Sequence, residues 1–392
     1  MIMTANSKDQ IKKESRLKIP FVVLLLFSSM SLHSQTSNSD FERIKLNSAE
    51  TEYSGIALSP DQKTIAITAK KSAPVQIVDE QSLKVIHEFN AGSWHGGSKI
   101  SYSENGKYLL LQQLSYADII QNKDRLIDFE IIDATTGKQI KRFEKIQDVV
   151  ISADEKYAVS LDNDIVSFWN LPDGSKDKSL SIPGAANAIA ISPNGKMLAV
   201  SQIINPDEIK NRFTKNKKGL KAAVKFKQTI SIYDVESSSK TKVIDELYDI
   251  VYRLSFSPDG ELVLVFHTPD IRAQLANNRQ TIVSMIDVTN LEPMRKGFTS
   301  MSVQQPELKI SNDKKLFAIN SKGTRFQEIH LYDTETGSLQ KRFELGNRLF
   351  EKSDGEKLTS DSRPSFTFLP GNRSILIAMG NQLIKWNIEI NP

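Results

Sequence analysis

The 392-residue chain has no cysteine, which excludes disulfides, thiolate metal sites, iron–sulfur clusters, Cys nucleophiles and Cys-linked lipid anchors. It has five histidines and no His-Glu-x-x-His helix, no Gly-x-Ser-x-Gly elbow and no phosphate-binding glycine loop. No cofactor or metal motif is therefore expected, and no catalytic residue stands out. With 18 Gly and 14 Pro it is not a low-complexity or collagenous chain. No apolar run approaches the ~20 residues that a membrane-spanning helix needs.

The longest apolar stretch, residues 19–27, follows Lys8, Lys12, Lys13, Arg16 and Lys18 and precedes the small polar run Ser28-Ser29-Met30-Ser31. Basic, apolar, then small is the order of a secretory leader. Residues 1–34 are expected to be a signal peptide, cleaved near Ser34 or Ser31. Residues 35–392 then form one domain with no transmembrane segment. The leader holds five cations and two anions, so its loss takes the net charge from +4 to +1. Nucleic acid is not an expected partner on that balance. A periplasmic or secreted location is expected.

One pattern fills the rest of the chain. A turn tetrad recurs at Ser59-Pro60-Asp61-Gln62, Ser103-Glu104-Asn105-Gly106, Ser152-Ala153-Asp154-Glu155, Ser192-Pro193-Asn194-Gly195, Ser257-Pro258-Asp259-Gly260, Ser311-Asn312-Asp313-Lys314 and Leu369-Pro370-Gly371-Asn372. Residues of these types suit a tight turn. Before each tetrad the large residues alternate with Ala57, Ser101, Val150, Ala190, Ser255, Lys309 and Thr367. Period two is a strand signal, and mostly small residues suit a crowded inner strand. Lys309 departs from this, and could bind an anion or pair with a carboxylate. After each tetrad comes a short apolar strand. A third strand then ends in Val78-Asp79, Ile132-Asp133, Trp169-Asn170, Tyr233-Asp234, Ile286-Asp287, Tyr332-Asp333 or Trp386-Asn387, and a more polar fourth strand follows in six repeats.

Four strands in each of seven repeats predict an all-β, seven-bladed β-propeller of antiparallel sheets. Blades are expected to begin near residues 54, 99, 147, 187, 252, 306 and 364. The seventh repeat ends after its third strand, so residues 41–46 are expected to pair with 385–389 and close the ring. The Ser-Pro-Asp-Gly turns and the Tyr-Asp and Trp-Asn strand ends resemble the WD-repeat or WD-repeat-like propellers. The Gly-His dipeptide that opens that family's repeats is absent, so apolar packing rather than a His–Asp network is expected to hold the blades.

In such a fold the long connections 91–98, 112–125, 202–228, 268–280 and 345–364 fall on one face. Elaboration of one face marks a binding surface. Residues 202–228 carry eight cations against Asp207 and Glu208, with Ile209/Phe213 and Leu220/Val224 at helical spacing. The candidate binding residues are Trp94, His95, Lys215, Lys217, Lys218, Lys221 and Lys225. The expected function is an exported, non-enzymatic scaffold whose partner is a protein, with an anionic lipid or glycan as alternatives at the basic loop. The resemblance also leaves room for a lactonase-like hydrolase or lyase at the channel mouth. His95 and His267 could bind a metal only with carboxylate help, for which Asp270 is the nearby candidate in sequence, and His87 and His330 read as structural.

Overall fold

The computed structural model describes residues 41–44, 52–114, 126–171, 173–244, 246–257, 259–267, 280–289, 293–301, 307–322, 327–346 and 364–388. Residues 1–40 and the connections 115–125, 268–279 and 347–363 lie outside the described residues.

The chain is a seven-bladed β-propeller, each blade a four-stranded antiparallel sheet. Strand β1 (Phe41–Ile44) comes first. Blade one is β2 (Tyr53–Leu58), β3 (Thr64–Ala69), β4 (Val75–Asp79) and β5 (Val85–Phe89). Blade two is β6 (Ser98–Tyr102), β7 (Tyr108–Gln113), β8 (Ile127–Asp133) and β9 (Gln139–Ile146). Blade three is β10 (Asp148–Ile151), β11 (Tyr157–Asp162), β12 (Ile165–Asn170) and β13 (Lys176–Ser181). Blade four is β14 (Ala186–Ile191), β15 (Met197–Ile203), β16 (Gln228–Asp234) and β17 (Lys240–Val243). Blade five is β18 (Val251–Phe256), β19 (Leu262–His267), β20 (Gln280–Asp287) and β21 (Pro293–Met301). Blade six is β22 (Leu308–Ile310), β23 (Leu316–Lys322), β24 (Gln327–Asp333) and β25 (Leu339–Leu345). Blade seven is β26 (Ser365–Phe368), β27 (Ser374–Met379) and β28 (Gln382–Asn387), with β1 as its outer strand.

The ring closes as the strand arithmetic demands. β1 runs antiparallel to β28, with Phe41 opposite Trp386 and Ile44 opposite Leu383. The pairing begins two residues earlier on β28 than the expected 385, because the third strand itself starts at Gln382. Phe41 meets the Phe343 ring edge-on at 6.4 Å, and Phe343 lies against Trp386 at 4.7 Å. The closing strand is thus keyed into the seam between blades six and seven.

The tetrad turns are built from one set of bonds. In blade one the Ser59 hydroxyl donates to Asp61 at 2.6 Å and accepts the Thr64 N–H at 3.0 Å, while Asp61 accepts the Lys63 N–H. Ser152/Asp154, Ser192/Asn194, Ser257/Asp259 and Ser311/Asp313 repeat it. The Ser hydroxyl beside Asp61, Asp259 and Asp313 holds each carboxyl below the ordinary carboxylate range. The fourth tetrad residue has positive φ in all seven blades: Gln62, Gly106, Glu155, Gly195, Gly260, Lys314 and Asn372. The acid ending the third strand has a local task too. Asp79, Asp133, Asp234 and Asp333 each accept N–H and hydroxyl donors from the Ser or Thr three residues on. These are Asx turns that fix the hairpin to the fourth strand.

The core lies in the seams. Blades one and two share Ala66, Ile77, Phe89, Ile100, Leu109 and Leu111, and blades six and seven share Leu331, Phe343, Phe366, Ile375 and Trp386. Each buried large apolar side chain is worth roughly 1.5–3 kcal/mol, so sheet-to-sheet packing carries the ring.

Candidate functional site

The short turns between first and second strands, and between third and fourth, emerge on one face. The second-to-third and blade-to-blade connections emerge on the other. Two features mark this second face: a helical insertion in blade four and a ring of charge at the channel mouth.

The insertion leaves β15 and folds as helix α1 (Pro206–Ile209), a 3-10 turn over Lys210–Phe213, and helix α2 (Lys217–Phe226). Asn205 caps α1 by accepting the Asp207 N–H, and Asn216 caps α2 by accepting the Gly219 N–H at 2.8 Å. Leu220, Ala223 and Val224 pack on Ile204, Ile209 and Leu247. The apolar spacing of the sequence thus becomes a docked helix. Its C-terminal end is pinned by Lys227, whose ammonium lies 2.8 Å from the buried Asp249 carboxylate in the connection to blade five. Lys215, Lys217, Lys218, Lys221 and Lys225 are exposed. At 100° per residue, Lys217, Lys218, Lys221 and Lys225 fall within a stripe of roughly 100°.

The structure separates Trp94 from this set. Trp94 is 7% exposed and packs with Ala91, Ile100 and Leu111 in the seam of blades one and two. Its indole N–H donates to Asp128 at 3.3 Å, with the Arg142 guanidinium 5.7 Å from the ring. The neighbouring Gly92 N–H donates to the buried Glu130. Trp94 therefore anchors its loop, and the adjacent His95 is the exposed member of the pair. His267 bonds Ser284 at 2.8 Å and meets the Tyr248 ring. His330 lies 2.5 Å from Glu328, whose carboxyl it holds low. His87 is exposed and stacks on Phe89. Asp270 lies outside the described residues. Among the described residues no group of three or more His, Asp or Glu could hold a metal ion.

The channel mouth carries residues that the alternation reading stopped short of. Four places before the tetrads stand Gly55, Lys99, Asp148, Ala188, Arg253, Glu307 and Ser365. Period two puts them on the same side as Lys309, one step nearer the elaborated face. Their bonds run between inner strands of neighbouring blades. Asp148 accepts the N–H of Val149 and, across the seam, of Ile189 at 3.0 Å. Ser365 accepts the Ile56 N–H and donates to Glu307 at 3.2 Å. Lys309 lies 3.3 Å from the same Glu307 carboxylate. An inner strand leaves one edge unpaired, and these side chains satisfy its donors. Gly55 carries no side chain because a Cβ there would lie 2.6 Å from the Ser98 carbonyl of the next blade.

Burial pushes the Asp148 carboxyl up to about 7, against the pull of its two N–H donors and of Arg253. Arg253 is exposed to water, yet desolvation by the protein around it lowers it, while Asp148 and Glu307 raise it. Arg253 of blade five thus feels the carboxylates of blades three and six. The signal was present in the sequence: registering the seven tetrads and stepping back four residues shows four charged positions out of seven.

No protein-family model matches the sequence, and no curated protein matches it. Among solved structures, Kuenenia stuttgartiensis hydrazine synthase is similar, with a TM-score of 0.55 and 15% identity over 89% of this chain and 98% of that one. At that identity the likeness is one of fold alone. Among the described residues no helix is long and apolar enough to cross a membrane.

Proposed function

We propose that this chain is an exported, non-enzymatic, WD-repeat-like propeller that binds an acidic protein through the face bearing its long connections. The observation that carries the reading is α2. Its Leu220, Ala223 and Val224 pack on Ile204, Ile209 and Leu247, and its lysine stripe is turned outward. Lys217 and Lys218 stand in the first turn, where no acidic residue balances the helix dipole. Cations there are disfavoured by about 0.3–1 kcal/mol each, a cost that an acidic partner would offset. Export rests on the leader, and a mature N-terminus at residue 32 or 35, read by mass spectrometry, tests it. The test of binding is the variant K217E/K218E/K221E/K225E in affinity capture from a cell-envelope extract. Loss of the captured protein, with wild-type capture weakening as salt rises, supports the reading. Unchanged capture overturns it.

A second reading is favoured by Asp148. A carboxyl near neutrality beside a guanidinium at a channel mouth is the arrangement of an acid–base site. A hydrolase or lyase of this kind would turn over members of a lactone and glycoside panel and lose that activity in Asp148→Asn.

A further inference from the structure

The carboxylates of the channel ring and its cations differ in how fully they are engaged. Both oxygens of Asp148 accept backbone N–H groups. Glu307 takes the Lys309 ammonium and the Ser365 hydroxyl on one oxygen, and its own N–H is held by Asn320. Among the described residues, no hydrogen bond or ion pair reaches the Arg253 guanidinium. It lies 5.7 Å from the centroid of the Phe266 ring. Arg253 is crowded by protein and yet open to water, which is the condition of a side chain lining a channel.

A guanidinium presents its donors in a flat fork that matches two oxygens of one anion. Here the guanidinium lies near an aromatic ring, and Asp148 and Glu307 act on it through their charge alone. Lys309 adds a second cation from the adjoining blade and spends one contact on Glu307. An anion would find the donors of the Arg253 guanidinium unspent.

We propose that the channel mouth is a seat for a small oxyanion, a carboxylate or a sulfuryl or phosphoryl group, taken by Arg253 with Lys309 beside it. The seat is separate from the basic stripe of α2 and does not depend on that stripe's role.

The test is calorimetric titration of the purified chain at low ionic strength with acetate and, separately, with sulfate. Both remain fully ionised from pH 6 to 8, so probe protonation does not enter. Saturable binding is expected, weakened about tenfold or more in Arg253→Gln and retained in K217E/K218E/K221E/K225E. The tighter of the two probes names the chemistry. Should Arg253→Gln fail to fold, Arg253→Lys keeps the charge and removes the fork, and the same weakening is expected. Binding that survives both Arg253 variants overturns the proposal. So does binding lost only in the α2 variant, or no saturable binding to either probe.

Discussion

Lys314 occupies a backbone position that suits glycine, with φ at 60°. Gly195 and Gly260 fill the equivalent place in blades four and five. An L side chain in the left-handed region costs about 1 kcal/mol. Lys314→Gly is therefore expected to stabilise the protein by about 0.5–1 kcal/mol, part of the gain being offset by the freer unfolded chain, and thermal unfolding reads it. The same change at Glu155 is expected to do the opposite. Its carboxylate accepts the Asn105 N–H of the preceding blade at 2.8 Å and ties two turns together. The four side chains at this position are thus not equivalent, and sequence alone does not separate them, since Glu155 acts on a turn 50 residues away.

At the scale of the element, β1 has a weight out of proportion to its four residues. It supplies the fourth strand of blade seven and carries Phe41 into the last seam. Phe41→Ala is expected to lower stability by about 2 kcal/mol, a figure below the full core value because Phe41 is half-buried. Removing residues 41–44 is expected to cost more than the point change, since it also bares the edge of β28. Denaturant titration of both variants checks the order. Elements were the most legible level of this protein. Tetrads and alternation repeat seven times, and an apolar residue followed by an acid or amide closes each third strand, so local signals reinforce one another. The inner ring was less legible. Lys309 stood out at its layer, but Asp148, Arg253 and Glu307 acquire meaning only when blades three, five and six are set around one axis. Trp94 was legible as aromatic and not as buried, because its pocket is made by β6 and β7, which follow it in the chain.

For the whole molecule, two sets of carboxylates oppose each other as pH changes. The turn acids, Asp61, Asp259 and Asp313 among them, have folded values held low. Their contribution is present above the unfolded carboxylate range and is lost as pH falls through their folded values. Asp148 runs the other way, with a folded value near 7. Between about pH 4 and 7 the folded state keeps a proton that the unfolded chain has released. Stability therefore falls with rising pH across that window, by at most about 1.4 kcal/mol per unit, and levels off above it. Asp148→Asn is expected to remove the decline while leaving the acid limb in place. Melting temperatures measured from pH 3 to 8 show both limbs.

The clasp of β1 on β28 also dictates a sequence of events. β1 has no sheet partner until β28 has left the ribosome. Each of the first six sheets is complete in its own stretch of chain and can form as soon as that stretch is available. The seventh joins β1 to β28 across the other six blades, and its loop-closure entropy is lost before any contact repays it. Circle formation is thus expected to be the slow and final step, and until it happens β1 remains open to the wrong mate.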